Sequence, residues 1–156
     1  MRRLGASGAL LVCLVLSGCA GSGPGGGTKP PKPSCKPPKQ PTVSFANNIQ
    51  PFFNRSCAVA GCHVGPVPTG PLDLSPGVAY GNIVNVRASE EALKLVDPGN
   101  PDDSYMVRKI NGGPNIAGTI MPPPGCPAPP QNNAQCPSDG DKAAFNQWIT
   151  ECALNN

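Results

Sequence analysis

In SFANNIQPFFNRSCAVAGCH, residues 44 to 63, large apolar side chains recur at Phe45, Ile49, Phe52 and Phe53. The i, i+4, i+7, i+8 spacing lines one face of a short helix, and Thr42 or Ser44 stands where a capping hydroxyl is wanted. The helix is expected to end at Cys57, where the chain reads Cys57-Ala58-Val59-Ala60-Gly61-Cys62-His63.

Two cysteines followed at once by a histidine is the arrangement that covalent haem attachment requires. Each thiol adds to one vinyl group, and the adjacent imidazole is carried beneath the iron as an axial ligand. The common form has two residues between the cysteines; four stand here, so the spacer must bulge, and Ala58, Ala60 and Gly61 make a bulge sterically easy. His63 is the only histidine in the chain. The plain alternative is a disulfide between Cys57 and Cys62 beside a surface histidine. A zinc site would need a fourth ligand, and adjacent Cys62 and His63 bind one tetrahedral ion awkwardly.

Beyond the motif the local signals are helical. Ser75-Pro76 reads as an N-cap and first-turn proline before a helix with Ala79, Tyr80, Ile83 and Val84 inward, and Asn100-Pro101 opens another in the same way. Ala88 to Leu95 is helix-prone and is cut off by Pro98-Gly99. Ser138 with Asp141 three residues on approaches a capping box, ahead of Phe145, Trp148, Ile149 and Cys152 at i, i+3, i+4 and i+7. No stretch alternates like a strand, so an all-α domain is expected.

Toward the N-terminus, Arg2 and Arg3, the apolar run from Ala9 to Leu16 and the small residues after it form an export signal. The run is far short of the roughly 20 residues of a membrane-crossing helix. Leu16-Ser17-Gly18-Cys19 resembles the lipobox of bacterial lipoproteins, which implies residues 1 to 18 as signal peptide and Cys19 as the acylated N-terminus at a membrane of the cell envelope. Ala20 is not an aspartate of the kind that retains lipoproteins at the inner membrane, which leans toward the outer one. Residues 19 to 41 are nearly all Gly, Pro, Ser and Lys and read as a disordered stalk, flexible and then stiff. The domain is expected at residues 42 to 156.

Composition sharpens this. The chain holds 22 Pro, 19 Gly and 8 Cys among 156 residues, with aromatics at 4%. So thin an aromatic complement points away from a large core made of protein alone, toward a domain that needs a staple or a bulky cofactor packed on Phe52, Phe53 and Trp148. The net charge of +3 comes from the leader and stalk; from Pro41 onward six Lys and Arg face nine Asp and Glu, net −3, which speaks against nucleic-acid binding. With Cys13 in the leader, Cys19 as the lipidation site and Cys57 and Cys62 in the motif, Cys35, Cys126, Cys136 and Cys152 remain. An even remainder in an exported chain predicts two disulfides, with three pairings open. Joining Cys126 to Cys136 would restrain the Pro-rich loop, and Cys35 would then tie the stalk to the last helix at Cys152.

From about Phe45 to Ala153 the chain resembles the cytochrome c family, and within it the short cytochrome-like domains of bacterial lipoproteins with a lengthened haem-binding spacer. The resemblance rests on the Cys57 to His63 motif, then Gly70-Pro71-Leu72-Asp73-Leu74, Val96-Asp97-Pro98-Gly99-Asn100-Pro101, Met121-Pro122 and Trp148-Ile149, in that order. It implies a cytochrome c-like helical domain with one haem c on Cys57 and Cys62 and iron between His63 and Met121. Met106 sits in an apolar pattern with Tyr105, Val107 and Ile110 and reads as core. The expected function is electron transfer to redox partner proteins, not catalysis, since the one histidine is committed to iron and Glu90-Glu91 and Asp102-Asp103 read as solvated-face and helix-start charges. A haem-free, disulfide-stapled envelope lipoprotein acting as a structural or interaction module is the alternative, and an accessory subunit of a larger oxidoreductase a third.

Overall fold

The computed structural model describes residues 35–65, 71–123 and 136–156. The chain divides into the units Met1–Lys32 and Pro33–Asn156, and all described residues belong to the second. The signal, the lipobox with Cys19, most of the stalk, and Cys126 lie outside them.

Ser44 caps the first element, its hydroxyl accepting from Asn47 N at 3.2 Å. A π-helical turn, Phe45–Ile49, runs directly into α1, Gln50–Ser56. Pro51 offers this ladder no donor and its ring crowds the carbonyl four residues back; the turn ahead of it takes the wider form. Phe45, Ile49, Phe52 and Phe53 are all buried, as their spacing requires.

Helix α2 spans Ala79–Ile83 and is entered from Val78, with no side-chain cap. Ser75 is therefore not its N-cap. The N–H groups of Val78 and Ala79 both turn back to the Ser75 carbonyl, at 3.2 and 3.1 Å, in a separate turn before the helix. Asn100 opens only a 3-10 turn, Pro101–Asp103. Ser104, fully buried, then starts α3, Tyr105–Asn111, its hydroxyl accepting from Asp97 N at 2.9 Å and donating to Asn100 O at 2.8 Å. Helix α4, Asp139–Thr150, carries the full reciprocal capping box between Ser138 and Asp141.

Ala88 to Leu95 is not a helix. Leu95 N donates to Val86 O at 2.7 Å and Ala88 N to Leu93 O at 2.8 Å, while the carbonyls of Lys94 and Leu95 accept from Tyr105 and Met106. Neighbours on both sides claim the backbone groups a helix would use, and tertiary context overrides propensity. Isolated β-bridges at Val84–Val96, Arg87–Lys94 and Lys94–Ser104 result. Among the described residues there is no strand, and no helix is long and apolar enough to cross a membrane. The fold is all-α.

The core is a protein core. Phe45, Phe52, Phe53, Phe145 and Trp148 pack ring against ring at centroid distances of 5.3–6.3 Å, with Tyr80 on Phe45 and Trp148. Trp148 is wholly buried and its indole N–H donates to Leu154 O at 2.8 Å. Concentrated on one π turn and three helices, these aromatics pack on each other.

Residues 35 to 46 are clasped to the end of α4. Cys35 and Cys152 form a disulfide with Cα atoms 5.5 Å apart. Gly99 lies beneath it, where a Cβ would come within 2.8 Å of the Cys35 sulfur. Cys136 is also disulfide-bonded; its expected partner Cys126 is outside the described residues. Ala46 N and Phe45 N donate to Asn156 at 2.9 and 3.0 Å. The buried Glu151 carboxylate accepts from Thr42 N at 2.9 Å, Thr42 Oγ1 at 2.5 Å, Val43 N at 3.1 Å and Gln147 Nε2 at 3.0 Å. Burial pushes this carboxyl up, but the four donors outweigh it and hold its pKa at about 2.

The Cys35–Cys152 bridge spans 117 residues, and the chain-entropy estimate for a loop of about 100 is about 4.7 kcal/mol. Cys35→Ser is expected to lower the unfolding free energy by about 4 kcal/mol in urea titration; an unchanged midpoint would mean that residues 35–41 are not held. Because the folded-state pKa of Glu151 lies below the ordinary 4.5, its stabilisation is complete above that pH and drains away as pH falls toward 2. Glu151→Gln is expected to lower Tm by several degrees at pH 7 and to flatten the loss of stability between those pH values. A variant whose Tm tracks the parent across that range would count against the four-donor account.

Candidate functional site

Helix α1 ends where Cys57 N and Ala58 N both donate to Phe53 O, at 2.8 and 2.7 Å. The four-residue spacer then closes into a compact loop. Cys62 N donates to Val59 O at 2.9 Å and His63 N to Cys57 O at 3.1 Å, so the chain returns to the end of the helix it left. Gly61 stands at φ +79 with nothing near a would-be Cβ, so glycine serves the backbone conformation here and not a close approach.

His63 is held from the segment after residue 70. Leu74 N donates to its carbonyl at 2.8 Å, and its Nδ1 lies 3.1 Å from Leu72 O. A carbonyl only accepts, so Nδ1 carries the hydrogen and Nε2 is left with its lone pair. Burial lowers the imidazole pKa below the usual 6.5, with Lys109 acting in the same direction and the Leu72 carbonyl against it. The result is a neutral, oriented imidazole, which is the form that binds a metal.

Cys57 and Cys62 are not joined to each other. Burial, then the neighbouring Cys62 and Asp141, push the Cys57 thiol up to about 12. At neutral pH it is a protonated thiol and not a poised nucleophile.

Cys57, His63 and Met121 line one cavity of about 480 Å³. Leu72, Leu74, Leu95, Met106 and Ile110 give it an apolar lining, and Arg87, Glu90, Tyr105 and Lys109 add polar groups. Cys62 is half-buried beside Cys57 but is not among the lining residues. Met121 comes from the loop after α3, its N–H donating to Lys109 O at 2.7 Å. Met106, buried in the core, also reaches the cavity. The size lies within the roughly 300–1,000 Å³ of small-molecule sites, and a mostly apolar lining with a few polar groups is their usual chemistry. A second cavity of about 320 Å³, at Asp102, Arg108, Asn111 and Gly113, holds none of the expected ligands.

Two expectations about the surroundings change. Phe52, Phe53 and Trp148 do not line the cavity; its apolar wall is mostly aliphatic. Glu90 is not only a solvated charge, since its Oε2 accepts from Tyr105 Oη at 2.6 Å and lies 3.5 Å from Lys109 Nζ. Asp102 and Asp103 do stand at a helical start.

Arg87, Tyr105 and Lys109 escape a reading of the sequence. The i, i+4 pairing of Tyr105 and Lys109 on α3 was an available signal, but their approach to residues 87–90 depends on the irregular run that the sequence makes look helical. Among the described residues no three His, Cys, Asp or Glu side chains gather as a metal-holding group. Iron held axially by one imidazole and one thioether does not call for such a group.

Compared with known protein families, with curated proteins and with solved structures, the chain matches none.

Proposed function

We propose that residues 42 to 156 form a cytochrome c-like electron carrier with one haem c, attached through Cys57 and Cys62 and ligated by His63 and Met121. It would be anchored in the cell envelope through lipid on Cys19 and would exchange single electrons with redox proteins. One observation supports the reading: Met121, distant in sequence from Cys57 and His63, lines the same cavity of about 480 Å³ as they do.

The residues present fit the group. The donor set is one imidazole with Nε2 available, a thioether and a thiol at the wall with a second thiol beside it. Arg87 is the wall cation available to a propionate. Bound there, haem iron supplies a one-electron couple, and thioether with imidazole favours the reduced state relative to two imidazoles. The chain's own part is to orient and to exclude. The Leu72 carbonyl sets the tautomer and ring plane of His63, and the leucines with Ile110 keep the cavity apolar, which also tunes the potential.

A second reading, a haem-free module stapled by disulfides, draws on one observation of its own. The aromatic core closes without help from a cofactor, so covalent staples would suffice to hold the domain.

Expression in a host that matures c-type haem separates the two. Haem is expected to stay on the chain through denaturing electrophoresis and to give the pyridine spectrum of thioether-bound haem; a colourless band favours the stapled module. His63→Ala is expected to abolish the low-spin spectrum. Met121→Ala is expected to keep the haem attached and lower the potential by about 59 mV or more, the equivalent of a ten-fold change in a one-electron equilibrium. If Met121→Ala moves neither the bands nor the potential, the sixth ligand is wrong.

A further inference from the structure

The loop that brings Met121 to the cavity is fastened to α3 by side chains that the haem reading leaves unused. Tyr105 Oη donates to Glu90 Oε2 at 2.6 Å and accepts from Ala117 N at 3.0 Å. Lys109 Nζ donates to Ala117 O at 2.6 Å, and the Lys109 carbonyl accepts from Met121 N at 2.7 Å. Both backbone groups of Ala117 are thus taken by α3 side chains one turn apart, and Met121 itself by the α3 backbone. Tyr105 is 2% exposed. The Lys109 ammonium lies 5.9 Å from the Tyr105 ring centroid and 3.5 Å from the Glu90 carboxylate, so the cluster is internally neutralised and braced from the 87–90 segment.

We propose that Tyr105 and Lys109 are positioning residues that hold Met121 at the iron by pinning the loop at Ala117. This rests on Met121 being the sixth ligand. A neutral thioether is a weak donor, and its hold on a metal depends on how far the loop bearing it is preorganised. The loop from Gly112 to Ile120 includes Gly112, Gly113 and Gly118, a composition that favours freedom when untied. A phenol donating to a carboxylate is a stronger acceptor toward the Ala117 N–H than an isolated phenol, which gives Glu90 its part although it touches no loop atom in this network.

The test is competition for the iron by free imidazole, in the haem-bearing full chain, with amide exchange at Ala117 and Met121 measured alongside. Tyr105→Phe keeps the buried ring and removes only the hydroxyl. It is expected to retain its haem, bind imidazole about ten-fold more tightly and exchange both amides faster. Lys109→Leu, which keeps the backbone carbonyl, is expected to move in the same direction. Tyr80→Phe is the control: its hydroxyl donates to Ala153 O at 2.9 Å, outside the loop, and its loss is expected to leave imidazole affinity unchanged.

If Tyr105→Phe and Lys109→Leu bind imidazole like the parent while Met121→Ala binds it more tightly, the positioning role is overturned and the ligand assignment stands. If Met121→Ala also matches the parent, or the parent carries no haem, the ligand assignment itself fails and the positioning role falls with it.

Discussion

Phe45 and Trp148 meet with ring centroids 5.4 Å apart, and around that contact the first and last helices of the domain close on each other. Phe53 reaches Phe145 at 5.9 Å, and Phe145 stacks on Trp148 at 5.8 Å with planes 29° apart. Burying such a side chain contributes about 1.5–3 kcal/mol, and a well-placed ring pair about 0.5–1.5 kcal/mol more. The disulfide, the Glu151 carboxylate and Asn156 hold residues 35–46 over the same seam. With both ends of α1's approach fixed, the helix can deliver its last residue to only one place, and that residue precedes Cys57.

From there the geometry propagates by backbone hydrogen bonds. The spacer loop returns to the Cys57 carbonyl, which sets His63 beside the Leu72–Leu74 strip. Helix α3, anchored by the buried Ser104 and by the carbonyls of Lys94 and Leu95, supplies the facing wall and the hold on Met121. The aromatic core and the cavity adjoin: Phe52, Phe53, Phe145 and Trp148 do not line the cavity, while Leu74, Met106 and Ile110 belong to the core and also face it. Changes at His63 or Met121, which are outside the core cluster, touch site chemistry more than fold stability, whereas changes at Leu74, Met106 or Ile110 touch both.

What the sequence discloses is what local physics decides. The Ser44 cap, the face of Phe45, Ile49, Phe52 and Phe53, the Ser138–Asp141 box and the burial of Phe145, Trp148 and Ile149 all follow from spacing within a few turns. The tie between Cys35 and Cys152 was one of three open pairings, and the structure contains it. Ala88 to Leu95 misleads because its good helix formers are outvoted by partners at Val86, Tyr105 and Met106. Ser75 misleads because a cap needs the helix to begin at once, and a separate turn intervenes. The aliphatic cavity wall and the Glu90–Tyr105–Lys109 cluster depend on contacts between segments far apart in the chain, where neither periodicity nor capping carries a signal.

The central claim is that the two sulfurs of Cys57 and Cys62 carry one porphyrin beside His63. Mass spectrometry of the proteolytic peptide spanning residues 57 to 63, from mature protein denatured without reductant, tests it most directly. The account predicts that this peptide carries the full mass of one haem, bound through both cysteines. A peptide lighter than its two-thiol form by two hydrogens, with those sulfurs joined to each other and no porphyrin, would contradict it.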